Sequence, residues 1–235
     1  MPVEQILKRI QQNQGNGRLE RKVQLNLGQS LWAHSELLKE GFAPVYNPRK
    51  VTSLYFDDFN FKFARGNING DRYRLKPRIR WYEENWRDAV LELKYRDGFL
   101  GFKDVEKMQQ LESVSFHDVL LSLGDYLYPK IKEDVLPSAL VSYDRVYFEH
   151  PSGVRATIDT EIGCCSPDDF FNSRTSWLEP MNFEVLEFKY QPAKDFFFRK
   201  EIFPSFFGVS FRLTKCSKYV ESITKLLDLG RIIRS

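Results

Sequence analysis

The chain has 235 residues, 42% hydrophobic and 15% aromatic, enough for one sizeable core. Its net charge is only +3, so global charge names no partner and any basic site must come from local clustering. Cys164, Cys165 and Cys216 are an odd set with two neighbours and no CxxC spacing, which argues against a disulfide framework and a zinc site. No apolar run approaches the ~18 residues of a membrane span, and the polar N-terminus MPVEQILKRIQQ carries no apolar signal region. A reducing, cytoplasmic compartment is expected.

Residues 1–17 end in QQNQGNG and read as a flexible or helical lead-in; residues 18–235 are expected to form one domain. Residues 18–27 alternate as a strand. Residues 28–40 have helical spacing with Leu31, Leu37 and Leu38 apolar, and Gly41 stops that helix. VTSLYFDD, FKFARGN, RYRLKPRIRWY and DAVLELKYRD follow as strands or short turns. Pro77 costs a ladder hydrogen bond, which puts its strand near an edge or at a bulge. Residues 105–125 read as helix. SALVSYDRVYFEH and GVRATIDTEI read as strands joined by the turn His150-Pro151-Ser152-Gly153, and FEVLEFKY as another strand. PAKDFFFRKEIFPSFF is helical until Pro204. Residues 216–230 form an amphipathic helix with Val220, Ile223, Leu226 and Leu227 on one side. Strands not regularly separated by helices predict an α+β fold, antiparallel β with helices outside.

Strand parity then sorts the side chains, because residues i and i+2 share a face. Arg18, Glu20, Lys22 and Gln24 oppose Leu19 and Val23. Arg74, Lys76, Arg78 and Arg80 oppose Leu75, Ile79 and Trp81. Glu92 and Lys94 oppose Leu91, Leu93 and Tyr95; Arg155, Thr157 and Asp159 oppose Val154, Ala156 and Ile158; Glu187 and Lys189 oppose Leu186, Phe188 and Tyr190. Singly, each pattern describes a sheet wetted on one side. Together they repeat Glu-x-Lys at 20/22, 92/94 and 187/189, with arginines making up most of the rest. An empty basic stripe repels itself, a cost that a polyanion would remove. A closed barrel can invert the usual layout, with the charged face lining a tunnel and the apolar face under helices. Arginine forks suit phosphate oxygens and lysines add point charges. The glutamates either hold a divalent metal, Mn²⁺ or Mg²⁺, or space the cations by ion pairing.

The ordered series RLERK at 18–22, SLYFDD at 53–58, RIRWY at 78–82, LELK at 91–94, YDRVYF at 143–148, VRATIDTEI at 154–162, LEFKY at 186–190 and SKY at 217–219 resembles the VTC (vacuolar transporter chaperone) domain. That domain is the polyphosphate polymerase branch of the triphosphate tunnel metalloenzymes. The resemblance implies an antiparallel β-barrel tunnel that transfers the γ-phosphoryl of ATP to a growing polyphosphate chain with a divalent metal, usually Mn²⁺. Carried over by motif, Lys22, Arg78, Arg80, Lys94, Arg155 and Lys189 are the catalytic phosphate ligands, and Lys218 binds substrate. Lys103 follows the LELK strand as a further basic position, and Lys215 shares a helical face with Lys218. Arg145 and Arg18 complete the substrate-binding set. Glu187 matches the metal-binding carboxylate, with Glu20 and Glu92 assisting. Arg78 and Arg80 form the central pair, while Arg74 and Lys76, before Pro77, are placed at the rim or outside. Hydrolytic relatives begin Glu-x-Glu-x-Lys; Arg18 replaces the first glutamate here, which favours the polymerase branch.

Other motifs are few. The chain lacks Gly-x-x-x-x-Gly-Lys-Ser/Thr, GxGxxG and HExxH sequences. His34, His117 and His150 fall in helices or a turn and read as fillers. Asp57-Asp58 and Asp168-Asp169 read as solvated turns, and Phe196-Phe197-Phe198 as packing on the barrel exterior. Trp81 has apolar parity, so burial is expected over base stacking, and no nucleic-acid partner is expected. The rival functions are a triphosphatase of the same fold and a non-enzymatic polyanion-binding module; a membrane partner stays open.

Overall fold

The structure is a computed structural model that describes residues 3–13, 15–108, 116–172, 178–207 and 213–232. The strands are β1 (Arg18–Leu25), β2 (Ala43–Asp57), β3 (Tyr73–Tyr82), β4 (Asn85–Asp97), β5 (Leu100–Lys107), β6 (Leu136–Glu149), β7 (Arg155–Cys165), β8 (Glu179–Pro180) and β9 (Glu184–Tyr190). They form one nine-stranded antiparallel sheet in the order β6-β2-β3-β4-β5-β1-β9-β7-β8, and β6 also pairs with β7. That second pairing closes the sheet into a ring, less regular than an ideal barrel. The β1–β5 seam is short, pairing only Arg18 with Gly101 and Leu19 with Leu100.

Helices α1 (Val3–Gln12), α2 (Gln29–Lys39), α3 (Lys62–Asn69), α4 (Phe116–Ile131), α5 (Pro167–Asn172), α6 (Asp195–Phe197), α7 (Phe203–Phe207) and α8 (Lys218–Asp228) complete the fold. Leu75, Ile79, Trp81, Leu91, Leu93 and Tyr95 pack outside the ring with Ile6 of α1 and Leu123 and Leu127 of α4. On the other flank Val23, Leu186, Phe188 and Ala156 pack with Ala33 and Leu37 of α2 and with Phe198, Ile202 and Phe206. A third cluster lies on the inner side. Tyr55, Val141 and Tyr143 meet Tyr219, Ile223 and Leu226 of α8, so this helix seats on the base of the ring. Among the described residues, no helix is long and apolar enough to cross a membrane.

Several local expectations are corrected. FKFARGN lies mostly in α3, because Asp57 caps the helix: its carboxylate accepts from the Phe63 and Ala64 N–H groups at 2.8 and 2.9 Å. Asp57 is therefore buried, also accepting from the Tyr219 hydroxyl at 2.5 Å, and is not a solvated turn residue. β5 runs to Lys107 and α4 starts at Phe116, so the helix expected over 105–125 begins late; residues 109–115 of that expectation lie outside the described set. The winding stretch after Pro192 passes through Pro204 to Phe207: a π-helical turn over Phe198–Ile202 runs directly into α7, so Pro204 falls at the junction of the two helical forms and does not stop the winding. In α2 only Leu37 of the three leucines is buried; Leu31 is 79% exposed. Phe198 packs outside the ring as expected, whereas Phe196 is exposed.

Pro77 shows how sequence sets topology. β3 is flanked by β2 and β4, yet its ladder to β2 ends at Tyr55↔Arg78. Pro77 is the next residue, so residues 73–77 form a local edge inside a closed ring.

Candidate functional site

Two contiguous cavities occupy the ring. The inner one, about 80 Å³, is lined by Lys22, Tyr55, Arg74, Lys76, Arg78, Arg80, Lys94, Arg96, Tyr143, Arg145, Glu187, Lys189, Ser217 and Lys218. The outer one, about 450 Å³, shares Arg78, Arg80, Lys94, Arg145 and Lys189 and adds Arg18, Glu20, Tyr46, Tyr82, Glu92, Lys103, Tyr147, Glu149, Arg155 and Thr157. Thirteen cations against four carboxylates line these spaces, in a chain whose net charge is +3.

Register explains both the pairing and the frustration of these charges. Between β1 and β9, Glu20 faces Lys189 and Lys22 faces Glu187, so the two Glu-x-Lys motifs complement each other across an antiparallel ladder. Arg78 faces Glu92 between β3 and β4. Elsewhere like faces like: Arg74↔Arg96, Lys76↔Lys94, Lys94↔Lys103 and Arg155↔Lys189. Such opposed cations destabilise an empty sheet.

The carboxylates are buried within this field. Glu92 accepts from Arg78 Nε and Nη2 at 2.9 and 2.6 Å, with Arg80 at 3.3 Å and Lys103 at 3.5 Å. Burial alone would raise its pKa, but Arg78 and Lys103 hold it at about 2. Glu20 pairs with Lys94 at 2.8 Å and with Arg96; against its burial, Lys94 and Arg96 draw its pKa down. Asp159 accepts from Arg145 Nε and Nη2 at 2.6 and 2.7 Å and also binds Lys218, which together hold it at about 2 despite full burial. Glu187 lies 2.7 Å from Lys189, 3.4 Å from Lys22 and 3.9 Å from Arg145. Burial opposes its charge, yet Lys189, Lys22, Lys94 and Arg145 keep its pKa well below the usual range. Its Oε1 is buried without a hydrogen bond.

The lysines divide. Burial pulls Lys94 down to about 8 despite Glu20 and Glu187. Lys76 falls well below the usual range through burial and then through Lys22, Lys94, Arg96 and Arg74. Lys22 rises against its burial because Glu187 and Glu20 favour its charge. Arg78 is held charged by Tyr55 and Glu92.

The fold brings Lys22, Arg78, Arg80, Lys94, Lys189, Arg145 and Lys218 together in the ring. Arg18 and Lys103 line the outer cavity, with the Lys103 side chain 54% exposed. Arg155 also lies there, 55% exposed and 3.6 Å from Glu149, so its position is the mouth and not the deep site. Lys215 is not brought in. Helix α8 begins at Lys218 with Ser217 as its cap, so no shared helical face exists; Lys215 is exposed and lines neither cavity. Arg74 and Lys76, expected at the rim, line the inner cavity, because the strand continues without a break through Pro77. Glu20, Glu92 and Glu187 do not form one metal-ligand group; among the described residues no three His, Cys, Asp or Glu side chains do.

Sequence reasoning did not single out Arg96, although Lys94 two positions before it shares its face. Tyr55, Tyr143 and Ser217 were also missed, and only parity within SLYFDD and YDRVYF signals the tyrosines. His34 and His150 lie outside the cavities, against Phe148 and Phe42. Trp81 is buried in the outer core.

No match is found among curated proteins. Among solved structures the chain is similar to a putative adenylyl cyclase from Hippeastrum described as having a dominant triphosphatase activity, at 15% identity over 92% of this chain and 97% of that one, TM-score 0.53. It is also similar to a putative adenylate cyclase from Vibrio parahaemolyticus, at 8% identity over 88% and 99%, TM-score 0.51, and to the PH1012 protein of Pyrococcus horikoshii OT3, at 10% over 87% and 99%, TM-score 0.50. At these identities the likeness is one of fold. The VTC domain profile matches residues 17–227, nearly the whole ring and its base helix. The chain belongs to the VTC domain family, on the fold of the triphosphate tunnel proteins.

Proposed function

We propose that this chain is a polyphosphate polymerase that moves the γ-phosphoryl of ATP onto an inorganic polyphosphate chain. The row Lys76, Lys94, Lys103 across three adjacent strands carries the proposal, because three amines in register, opposed like to like, suit a ligand with repeating negative charge that favours their charged forms. Arg78, Arg80 and Lys94 hold the triphosphate, and Lys22, Lys189 and Arg145 neutralise the transferring oxygens. Arg155, Arg18 and Lys103 attract the anion at the mouth. The wider outer cavity, with Tyr46, Tyr82 and Tyr147, has room for the nucleoside end of ATP.

A divalent cation, Mn²⁺ or Mg²⁺, fits Glu187, whose buried Oε1 accepts no hydrogen bond and has Lys22 only at 3.4 Å; one carboxylate plus phosphate oxygens is an ordinary set for such ions. Bound there, the ion would add positive charge where the phosphoryl group transfers. Glu20 and Glu92 serve as ion-pair spacers. In the transfer, the terminal oxygen of the polyphosphate attacks the γ-phosphorus, the bond from that phosphorus to the β–γ bridging oxygen breaks, and ADP leaves. The acceptor is already an anion and needs no general base.

Incubation with ATP and Mn²⁺, followed by gel electrophoresis, should yield long polyphosphate. Orthophosphate alone would assign a triphosphatase, and tight polyphosphate binding without turnover would assign a binding module.

A further inference from the structure

We propose that Thr157 is a positioning residue for a hydrated divalent cation, its hydroxyl holding a metal-bound water on the outer side of Glu187. The proposal rests on the assignment of the ion to Glu187 and is independent of whether the chain polymerises.

Two orphaned groups meet at this point. Among the described residues, Thr157 Oγ1 and Glu187 Oε1 are both buried without a hydrogen-bond partner. The two residues are direct partners across the β7–β9 ladder. Cβ atoms so placed stand about 4.5–5.5 Å apart, near enough for a hydroxyl and a carboxylate to reach one hydrated ion. Thr157 is only 6% exposed, so a hydrogen bond left unmade there is costly.

Charge keeps this place open to a cation. Arg155, Thr157 and Asp159 share the inward face of β7. Arg155 stands opposite Lys189, and Asp159 is taken by Arg145 and Lys218. Between them, Thr157 has Glu187 on one side and Tyr147 on the other. An ion on Glu187 therefore meets a neutral hydroxyl where a lysine would repel it. The two oxygens of Glu187 are also unequal. Its Oε2 lies 2.7 Å from Lys189 and 3.9 Å from Arg145, whereas Oε1 has Lys22 at 3.4 Å. Oε1 is the oxygen left for the ion.

Depth agrees with this placement. Glu187 lines the inner cavity and Thr157 the outer one, while Arg145 and Lys189 line both. The Thr157–Glu187 pair thus spans the junction of the two spaces. The outer cavity, about 450 Å³, has room for hydration water beside the phosphates. Ions such as Mg²⁺ keep several waters when carboxylates and phosphates supply the other ligands. A water on such an ion is a strong donor, and Thr157 Oγ1 can accept from it. Groups that hold metal ligands in this way typically change metal affinity by about 10–100-fold.

The test compares wild type, Thr157→Val, Thr157→Ser and Glu187→Gln by calorimetric titration of inorganic tripolyphosphate with and without saturating Mn²⁺. The ratio of the metal-free Kd to the Kd with Mn²⁺ reads the contribution of the ion. Thr157→Val keeps the shape and should lower this ratio about tenfold or more, with the metal-free Kd near that of wild type. It should also raise the metal-free Tm, because it removes an unpaired buried hydroxyl. Thr157→Ser should keep the wild-type ratio. An unchanged ratio in Thr157→Val overturns the proposal. Equal weakening with and without Mn²⁺ overturns it too, since the hydroxyl would then bind phosphate directly. A metal-free Tm below wild type would make Thr157 a structural partner of Glu187 and is equally fatal. If Glu187→Gln keeps the wild-type ratio, the ion is not at Glu187 and the metal assignment falls as well. The expected ratios without polymer synthesis leave Thr157 standing and remove the polymerase. No binding of tripolyphosphate by wild type removes both readings.

Discussion

Replacing Asp159 with Asn should destabilise the fold and tighten polyanion binding at once. Asp159 is fully buried and is the close ion-pair partner of both Arg145 and Lys218, whose side chains are 8% and 9% exposed, with Glu187 standing farther from Arg145 at 3.9 Å. Asparagine keeps the shape and removes the charge, leaving two buried cations facing each other over Tyr143, 5.0 and 4.5 Å from its ring. The depression of Asp159 from 3.8 to about 2 corresponds to about 2 kcal/mol. Breaking a buried pair from one side usually costs about 3–5 kcal/mol. A loss of roughly 3 kcal/mol lowers Tm by about 6–12 °C for a chain of this length. Urea denaturation followed by tryptophan fluorescence reads the loss directly.

The pH dependence has a definite sign. Asp159 has a folded pKa below its unfolded value, so its stabilisation is full above about pH 4 and is lost as pH falls through about 2. The gap between wild type and variant should therefore be level toward neutrality and close in acid. The tunnel of the variant gains one net positive charge, so its Kd for tripolyphosphate at low salt should fall. A variant within ~1 kcal/mol of wild type, or one that is destabilised and also binds tripolyphosphate more weakly, would refute the assignment of Asp159 as charge spacer.

Other substitutions separate the remaining roles. Glu187→Gln should lower polymer synthesis about 10²-fold or more and flatten its dependence on Mn²⁺ concentration; unchanged metal dependence would sink the metal assignment. Arg80→Ala should reduce kcat strongly, whereas Arg155→Ala, at the solvated mouth, should change KM by a few fold with kcat nearly kept. Lys76→Met should raise Tm in the absence of anions, because it removes a buried amine among cations. For that lysine the folded pKa lies below the unfolded ~10.4, so wild-type stability gains from it as pH rises toward that value, and the variant should lose this alkaline gain. Asp57→Ala should cost about 3 kcal/mol, since it uncaps α3 and frees Tyr219 of α8; a calorimetric Tm equal to wild type would contradict the role of Asp57 as anchor.

Period-2 parity made the ring readable in sequence. It separates Arg78 and Arg80 from Ile79 and Trp81, and it places Glu187 and Lys189 on one face. Parity says nothing about which strand comes next to which, so it could not show that Lys76 stands opposite Lys94, or that Glu-x-Lys on β1 runs against Glu-x-Lys on β9. Nor does it give height along the tunnel. Arg155 has the right parity and the wrong depth, since β7 enters the ring at the mouth beside Glu149. Lys215 failed for a local reason: Ser217 caps α8, and a residue before the cap cannot follow the helical spacing of those after it. Asp57 was misread because an Asp-Asp turn looks solvated until a helix from a distant part of the chain covers it.

The same parity separates what holds the ring from what the ring binds. On β3, Leu75, Ile79 and Trp81 anchor the outer core with α1 and α4, while the residues between them carry the cations. Burying side chains of this kind contributes about 1.5–3 kcal/mol each, against which four opposed like-charge pairs are a tolerable cost. That cost returns as affinity when an anion enters and the repulsion is relieved. A bound polyphosphate at 100 times its Kd would add about 2.7 kcal/mol of stability, comparable to the loss expected for Asp159→Asn. The outer apolar faces can thus be altered with effects confined to stability, whereas every inner substitution moves stability and binding together, with signs set by the charge removed.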